Sequence, residues 1–95
     1  MRLELSQPAL SDLDNLLIQG MDHFGAIQAL DYQNELLDRL DELLEFPLAC
    51  PVSIFDELMR VCVFRAHIIL YEVRGEALKI LRVRHQRENW LTADS

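Results

Sequence analysis

Between Gly25 and Pro47 the chain has the pattern of a helix with one wet face. Ile27, Leu30, Leu36, Leu37, Leu40, Leu43 and Leu44 share one side, while Asp31, Glu35, Asp38, Glu42 and Glu45 recur at spacings of 4, 3, 4 and 3 on the other. At about 100° per residue the two stripes centre on opposite sides of the cylinder, the pattern of a surface helix lying on a core. The acidic row reads as a solvated face or as a docking surface for a basic partner. Pro47 and Pro51 end this helix and open a loop. Upstream, Ser6 is a good N-cap and Pro8 suits a first helical turn. Leu10, Leu13, Leu16, Leu17, Met21 and Phe24 follow at helical spacing, with Gly25 as the stop. Gly20 lies on the same face. Glycine costs a helix about 1 kcal/mol there, and close approach of a neighbouring element is the use that explains it.

The apolar period is that of a strand at both ends of this helical pair. Arg2–Leu5 alternates, with Leu3 and Leu5 on one face. After the loop, residues 59–64 (MRVCVF), 67–73 (HIILYEV) and 77–84 (ALKILRVR) are β-branched and aromatic-rich. Arg74-Gly75-Glu76 marks a tight hairpin, glycine supplying a positive φ. The order is β-α-α-β-β-β. The fold class is α+β, in two layers, with a helical hairpin packed on an antiparallel sheet. Such a domain leaves the other sheet face open. Arg60, Arg82 and Arg84 stand there among apolar residues, a mixed face that meets water or a partner.

Ninety-five residues allow one domain, spanning 1–95. A hydrophobic share of 51% with 26% charged residues excludes a disordered chain. No apolar run approaches the roughly 20 residues that span a bilayer, and no signal-peptide pattern opens the chain. The expectation is a cytoplasmic protein without membrane association. Cys50 and Cys62 read as two free thiols, since two cysteines are too few for a disulfide scaffold and form no Cys-x-x-Cys pair for zinc. The three glycines are too scattered to cradle phosphate. No cofactor and no metal site is expected. The net charge of −7 is segregated: residues 1–59 carry 12 acidic and 2 basic side chains, residues 60–95 carry 4 and 7. So acidic a chain is not expected to bind DNA directly, because phosphate affinity comes from Lys and Arg.

Several strings fit one pattern in order. LSQPALSDLDNL carries Ser-x-x-Ala-x-x-Asp-Leu at Ser6, Ala9, Asp12 and Leu13. DRLDELLEFP closes the second helix at Pro47. RVCVFRAHIILYEV supplies Arg60, Tyr71 and Val73, and KILRVRHQREN supplies Ile80, Arg82, Val83, His85 and Arg87. Over nearly the whole chain these resemble the ParE/RelE superfamily of toxins from bacterial toxin–antitoxin modules, most closely the ParE branch. Cys62-Val63 replaces a Phe-Pro pair, Arg65 stands where a turn glycine is expected, Glu72 replaces an Arg, and Asn89 replaces a final Asp. These departures bear on the turn and on target affinity, not on the fold.

The resemblance implies the toxin of a type II pair that inhibits DNA gyrase by binding, and that is neutralised in a hetero-oligomer by a cognate antitoxin. RelE-like members are instead ribosome-dependent messenger RNA endoribonucleases, which gives an alternative. Such chemistry needs a general base, an acid and cations, and His85 with Arg82 and Arg87 is the minimal set. Against it stand a single lysine, Lys79, and no tyrosine after Tyr71. A third reading is a non-toxic co-repressor that only binds the antitoxin. The candidate partner-binding residues are Arg60, Arg82, Arg84, Arg87, Trp90 and Ile18. His85 reads equally as a structural residue closing a strand, Trp90 as a residue packed back on the sheet, and Ile18 as an ordinary exposed side chain. Tyr71 is expected in the core with its hydroxyl satisfied. His23 and His67 read as surface or core residues.

Overall fold

The computed structural model of the chain describes residues 1–87. Element order is β1 (Arg2–Leu5), α1 (Gln7–Phe24), α2 (Ala26–Glu45), β2 (Arg60–Phe64), β3 (His67–Arg74) and β4 (Ala77–His85). This is the expected β-α-α-β-β-β arrangement, with strand limits differing by one residue at the start of β2 and at the ends of β3 and β4. The four strands form one sheet in the order β1-β4-β3-β2. β2, β3 and β4 make the expected antiparallel meander. β1, however, pairs parallel with β4, from Arg2 against Ala77 to Leu5 against Ile80, so the sheet is mixed. The long connection ends with β3, which runs back so that Arg74 and Ala77 lie level with Arg2, and β4 then starts beside the start of β1 as a parallel pairing requires.

The start of α1 follows from local chemistry. The Ser6 side chain accepts from the Ala9 amide at 3.0 Å and donates to the Leu81 carbonyl at 2.8 Å, so one hydroxyl caps the helix and fastens it to β4. Gly25, at φ 88°, ends α1 and opens α2. Gly20 does bring the helices together: a Cβ on it would lie 3.2 Å from that of Ala29. Gly75 turns the β3–β4 hairpin at φ 57°, and Arg65 turns β2 into β3 at φ 52°. Arg65 thus occupies the left-handed position where the resemblance expects glycine.

Ala9, Leu13, Leu36, Leu40 and Leu43 from the helices bury against Ile69, Tyr71, Leu78, Ile80 and Val83 of the sheet. The Tyr71 hydroxyl, in the core as expected, donates to the Pro47 carbonyl at 2.9 Å. The helical stripes are only partly covered. Leu10, Met21, Phe24, Ile27, Leu30 and Leu37 were expected to face the core and are exposed. Towards the hairpin tip the two helices pack on each other through their smallest residues, Gly20 and Ala29, and a cleft separates them from the strand ends. The far face of the sheet also differs from expectation. In its middle Ile68 and Leu70 are buried, flanked across the strands by Val61, Val63, Arg82 and Arg84. The open apolar surface lies instead at Val63 and on the loop of residues 46–59, where Phe46, Leu48, Ile54, Phe55 and Leu58 are exposed.

The cysteines correct the reading of two free thiols. The loop folds back beside β2 and Cys50 is bonded to Cys62, with a Cα–Cα separation of 5.3 Å. Their spacing of 12 residues carries no local signature, so the pairing arises only from the tertiary path.

Replacing Gly20 with Val tests the helix contact. The added methyl groups meet Ala29, and urea denaturation should show a loss of about 1–3 kcal/mol. An unchanged midpoint would mean that the helices are not in close contact there.

Candidate functional site

β1 covers β4 only as far as Ile80, so the outer edge of β4 beyond that point needs another partner. Asp12, one and a half turns into α1, supplies it. Its carboxylate accepts from Arg82 Nε at 2.8 Å and Nη2 at 2.9 Å, and from the Val83 amide at 2.9 Å. A bidentate guanidinium–carboxylate pair of this kind fixes direction as well as distance. The register between β3 and β4 slips beside it, Leu70 facing Arg82 and Tyr71 facing Ile80, which leaves Leu81 without a counterpart. Such irregularities bend a strand and re-aim the side chains that follow. Here those are Arg84 and His85.

The re-aimed strand end, the β2–β3 turn and the helical hairpin enclose an open cleft of about 710 Å³, lined by Leu16, Gly20, Phe24, Ala29, Tyr32, Arg65, His67, His85 and Arg87 among others. A smaller recess of about 320 Å³ adjoins it, with Asp12, Arg82 and Arg84 on its wall and His67 and His85 shared. The His67 and His85 rings meet edge to face at 5.2 Å. The Tyr32 hydroxyl and His67 Nδ1 share a hydrogen bond of 2.7 Å. His85 Nδ1 accepts from the Arg87 amide at 3.1 Å. The Arg65 guanidinium lies 5.8 Å from the centre of the Tyr32 ring and pairs with Glu35. Burial pushes the Tyr32 phenol above its ordinary pKa, outweighing the backbone hydrogen bond from Ala66 and the nearby Arg65 charge, which pull it down. The hydroxyl therefore keeps its proton at neutral pH. The cleft offers one apolar wall, from the helices, and one wall of imidazole, phenol and guanidinium donors.

Of the sequence-derived candidates, Arg82, Arg84, His85 and Arg87 come together here. Arg60 does not: it sits at the other end of β2 and donates to the Cys50 carbonyl at 2.7 Å and that of Leu48 at 3.4 Å. Ile18 is 57% exposed on α1 and does not line the cleft. Trp90 lies outside the described residues. Tyr32, Arg65 and His67 were missed as site residues. A signal existed for Tyr32, which falls on one helical face with Ala29 and Leu36. None existed for His67, whose meeting with His85 depends on strand register. Among the described residues, no three His, Cys, Asp or Glu side chains converge as a metal site would, and no helix is long and apolar enough to cross a membrane.

The family model described as the ParE toxin of the type II toxin–antitoxin system parDE matches residues 3–90. The chain belongs to this family. The ParE reading has support from two similar proteins. The chain is 33% identical over 86 residues to Toxin ParE1 of Caulobacter vibrioides, an alignment covering 90% of this chain and 88% of that protein. A solved structure titled "Chromosomal ParDE TA system from P. aeruginosa" superposes with a TM-score of 0.80 at 18% identity, covering 90% of this chain and 95% of that one. Within the ParE pattern each position of the first string has a physical role: Ser6 caps, Ala9 and Leu13 are buried, and Asp12 binds the strand.

The chain has two tyrosines, and burial raises both phenols. A titration of absorbance near 295 nm should show neither ionising at the ordinary value of about 10. Below that pH both states keep the proton and the stabilisation is whole. Above it the unfolded chain loses the proton first, so stability falls with rising pH. The fall should be shallower in Tyr32→Phe, and a phenol ionising below pH 10 in the folded protein would contradict the burial argument.

Proposed function

We propose that the chain is the toxin of a type II pair that arrests growth by binding DNA gyrase in the cytoplasm, and that a cognate antitoxin neutralises it by covering its exposed apolar surfaces. Membership of the ParE family supports the toxin reading, and gyrase is what the ParE resemblance implies. The observation that carries the antitoxin reading is the uncovered apolar surface: Phe24 is 65% exposed and Ile27 79% exposed at the hairpin tip, beside a cleft with an apolar wall. Patches of this kind on a small domain mark a protein interface. An amphipathic helix that folds on binding is the ligand whose shape suits a groove between a helix pair and strand ends. The cationic wall, with Arg65 and Arg87, suits acidic residues on that segment. Arg60 and Ile18 stand outside the cleft and would belong to a wider footprint.

One observation favours the ribonuclease reading. His67 and His85 are in contact, with a protonated phenol and guanidinium groups beside them, which are the residue types of general acid–base chemistry on a phosphodiester. The acidic balance of the chain opposes it, since it repels ribosomal RNA.

A supercoiling assay with purified gyrase separates the two. The gyrase reading expects supercoiling to fall as the protein is titrated in, recovery when the antitoxin is added, and growth arrest that survives His85→Ala. Unaffected supercoiling at high protein concentration, with cut messages in primer extension, favours the ribonuclease. Normal growth on expression of the chain alone leaves only the co-repressor.

A further inference from the structure

The bond between Cys50 and Cys62 has an unusual neighbour. Arg39 Nη2 lies 3.1 Å from Cys62 Sγ and 3.7 Å from Cys50 Sγ. Its other arm, Nη1, is held by Glu42 at 2.9 Å, so α2 fixes the guanidinium against the sulfurs. Both cysteines are buried. An intact disulfide carries no charge and gains little from a cation. A thiolate gains much, because an adjacent arginine lowers the pKa of a thiol from about 8.5. Arg39 therefore stabilises the reduced state of the pair more than the oxidised state. Stabilising the reduced form makes a disulfide easier to reduce.

We propose that Cys50 and Cys62 are a site of reversible thiol–disulfide exchange, with Arg39 as the positioning residue that holds the released Cys62 sulfur as a thiolate. The co-reactant is a dithiol reductant. Its thiolate attacks Cys50 Sγ, the Cys50–Cys62 bond breaks, and Cys62 leaves with the electron pair towards Arg39. The second thiol of the reductant then attacks the mixed disulfide and releases Cys50. Two electrons pass from the dithiol, which becomes a disulfide. Of its two protons, one stays on Cys50 and one goes to solvent. Cys50 belongs to the loop of residues 46–59 and Cys62 to β2, so reduction removes the covalent tie between β2 and the segment bearing Ile54, 91% exposed, and Phe55. The ends of that segment keep their hydrogen bonds, from Tyr71 to the Pro47 carbonyl and from the Val61 amide to that of Pro51. The site thus loosens the loop without unfolding the domain.

The test equilibrates the full chain in dithiothreitol buffers of graded oxidised-to-reduced ratio, traps free thiols with iodoacetamide and weighs the products. Wild type should be half-reduced in a buffer at least tenfold less reducing than Arg39→Gln requires, with Arg39→Lys close to wild type. Amide exchange in residues 46–59 should quicken on reduction while the sheet stays protected. Coincident midpoints for wild type and Arg39→Gln, or a pair that stays disulfide or stays dithiol across the whole range, overturn the proposal. Should Arg39→Gln fail to fold, Cys50→Ser isolates the second thiol. Its alkylation should reach half its plateau below pH 8.5, and a midpoint at or above that value also overturns it.

Discussion

The carboxylate of Asp12 is the constraint on which the rest of the domain is built. β1 is four residues long and stops at Ile80. Without a further partner, residues 81–85 of β4 would present a bare edge to water at the point where α1 departs. Asp12 accepts from the Val83 amide and from Nε and Nη2 of Arg82, so one side chain ends the edge and anchors the first helix. The pair is partly buried, at 12% and 31% side-chain exposure, where an ion pair with extra hydrogen bonds is worth more than one on the surface.

That anchor determines the shape of the cleft. Ser6 and Asp12 fasten the base of α1 to β4, and Gly20 against Ala29 fastens α2 to α1. The hairpin is held at its base and projects at its tip, which leaves Met21, Phe24 and Leu30 uncovered. Below the tip, the register slip at Leu81 precedes His85, which lines the cleft, and Arg84, which lines the recess beside it, and the left-handed turn at Arg65 brings His67 against His85. Apolar and cationic surfaces thereby meet along one groove, while the acidic row of α2 remains with solvent apart from Glu35 and Glu42, which pair with Arg65 and Arg39.

Sequence reading succeeded wherever a local rule decides the structure. Ser6 and Gly25 are read from capping chemistry, Gly75 from turn chemistry, and Gly20 from the cost of glycine inside a helix. The element order follows from two changes of apolar period. It fell short where tertiary path decides. Ile27 is a miss of another kind: nine residues at about 100° each put it on the opposite side of α2 from Leu36, among the acidic row, so its exposure follows from the helix itself. The disulfide depends on a loop that doubles back on β2, and the contact between His67 and His85 depends on register. Arg82 reads as an open-face cation because its partner is 70 residues away in sequence.

A double-mutant cycle on Asp12→Ala and Arg82→Ala, read by urea denaturation of the two single variants and the double variant, tests the anchoring claim most directly. A coupling of about 1–3 kcal/mol between the two positions is expected. Either single change should also expose the amides of β4 beyond Ile80 to hydrogen exchange. Effects that add to within about 0.5 kcal/mol, with Val83 still protected in the Asp12 variant, would show that the helical hairpin is held to the sheet by something else.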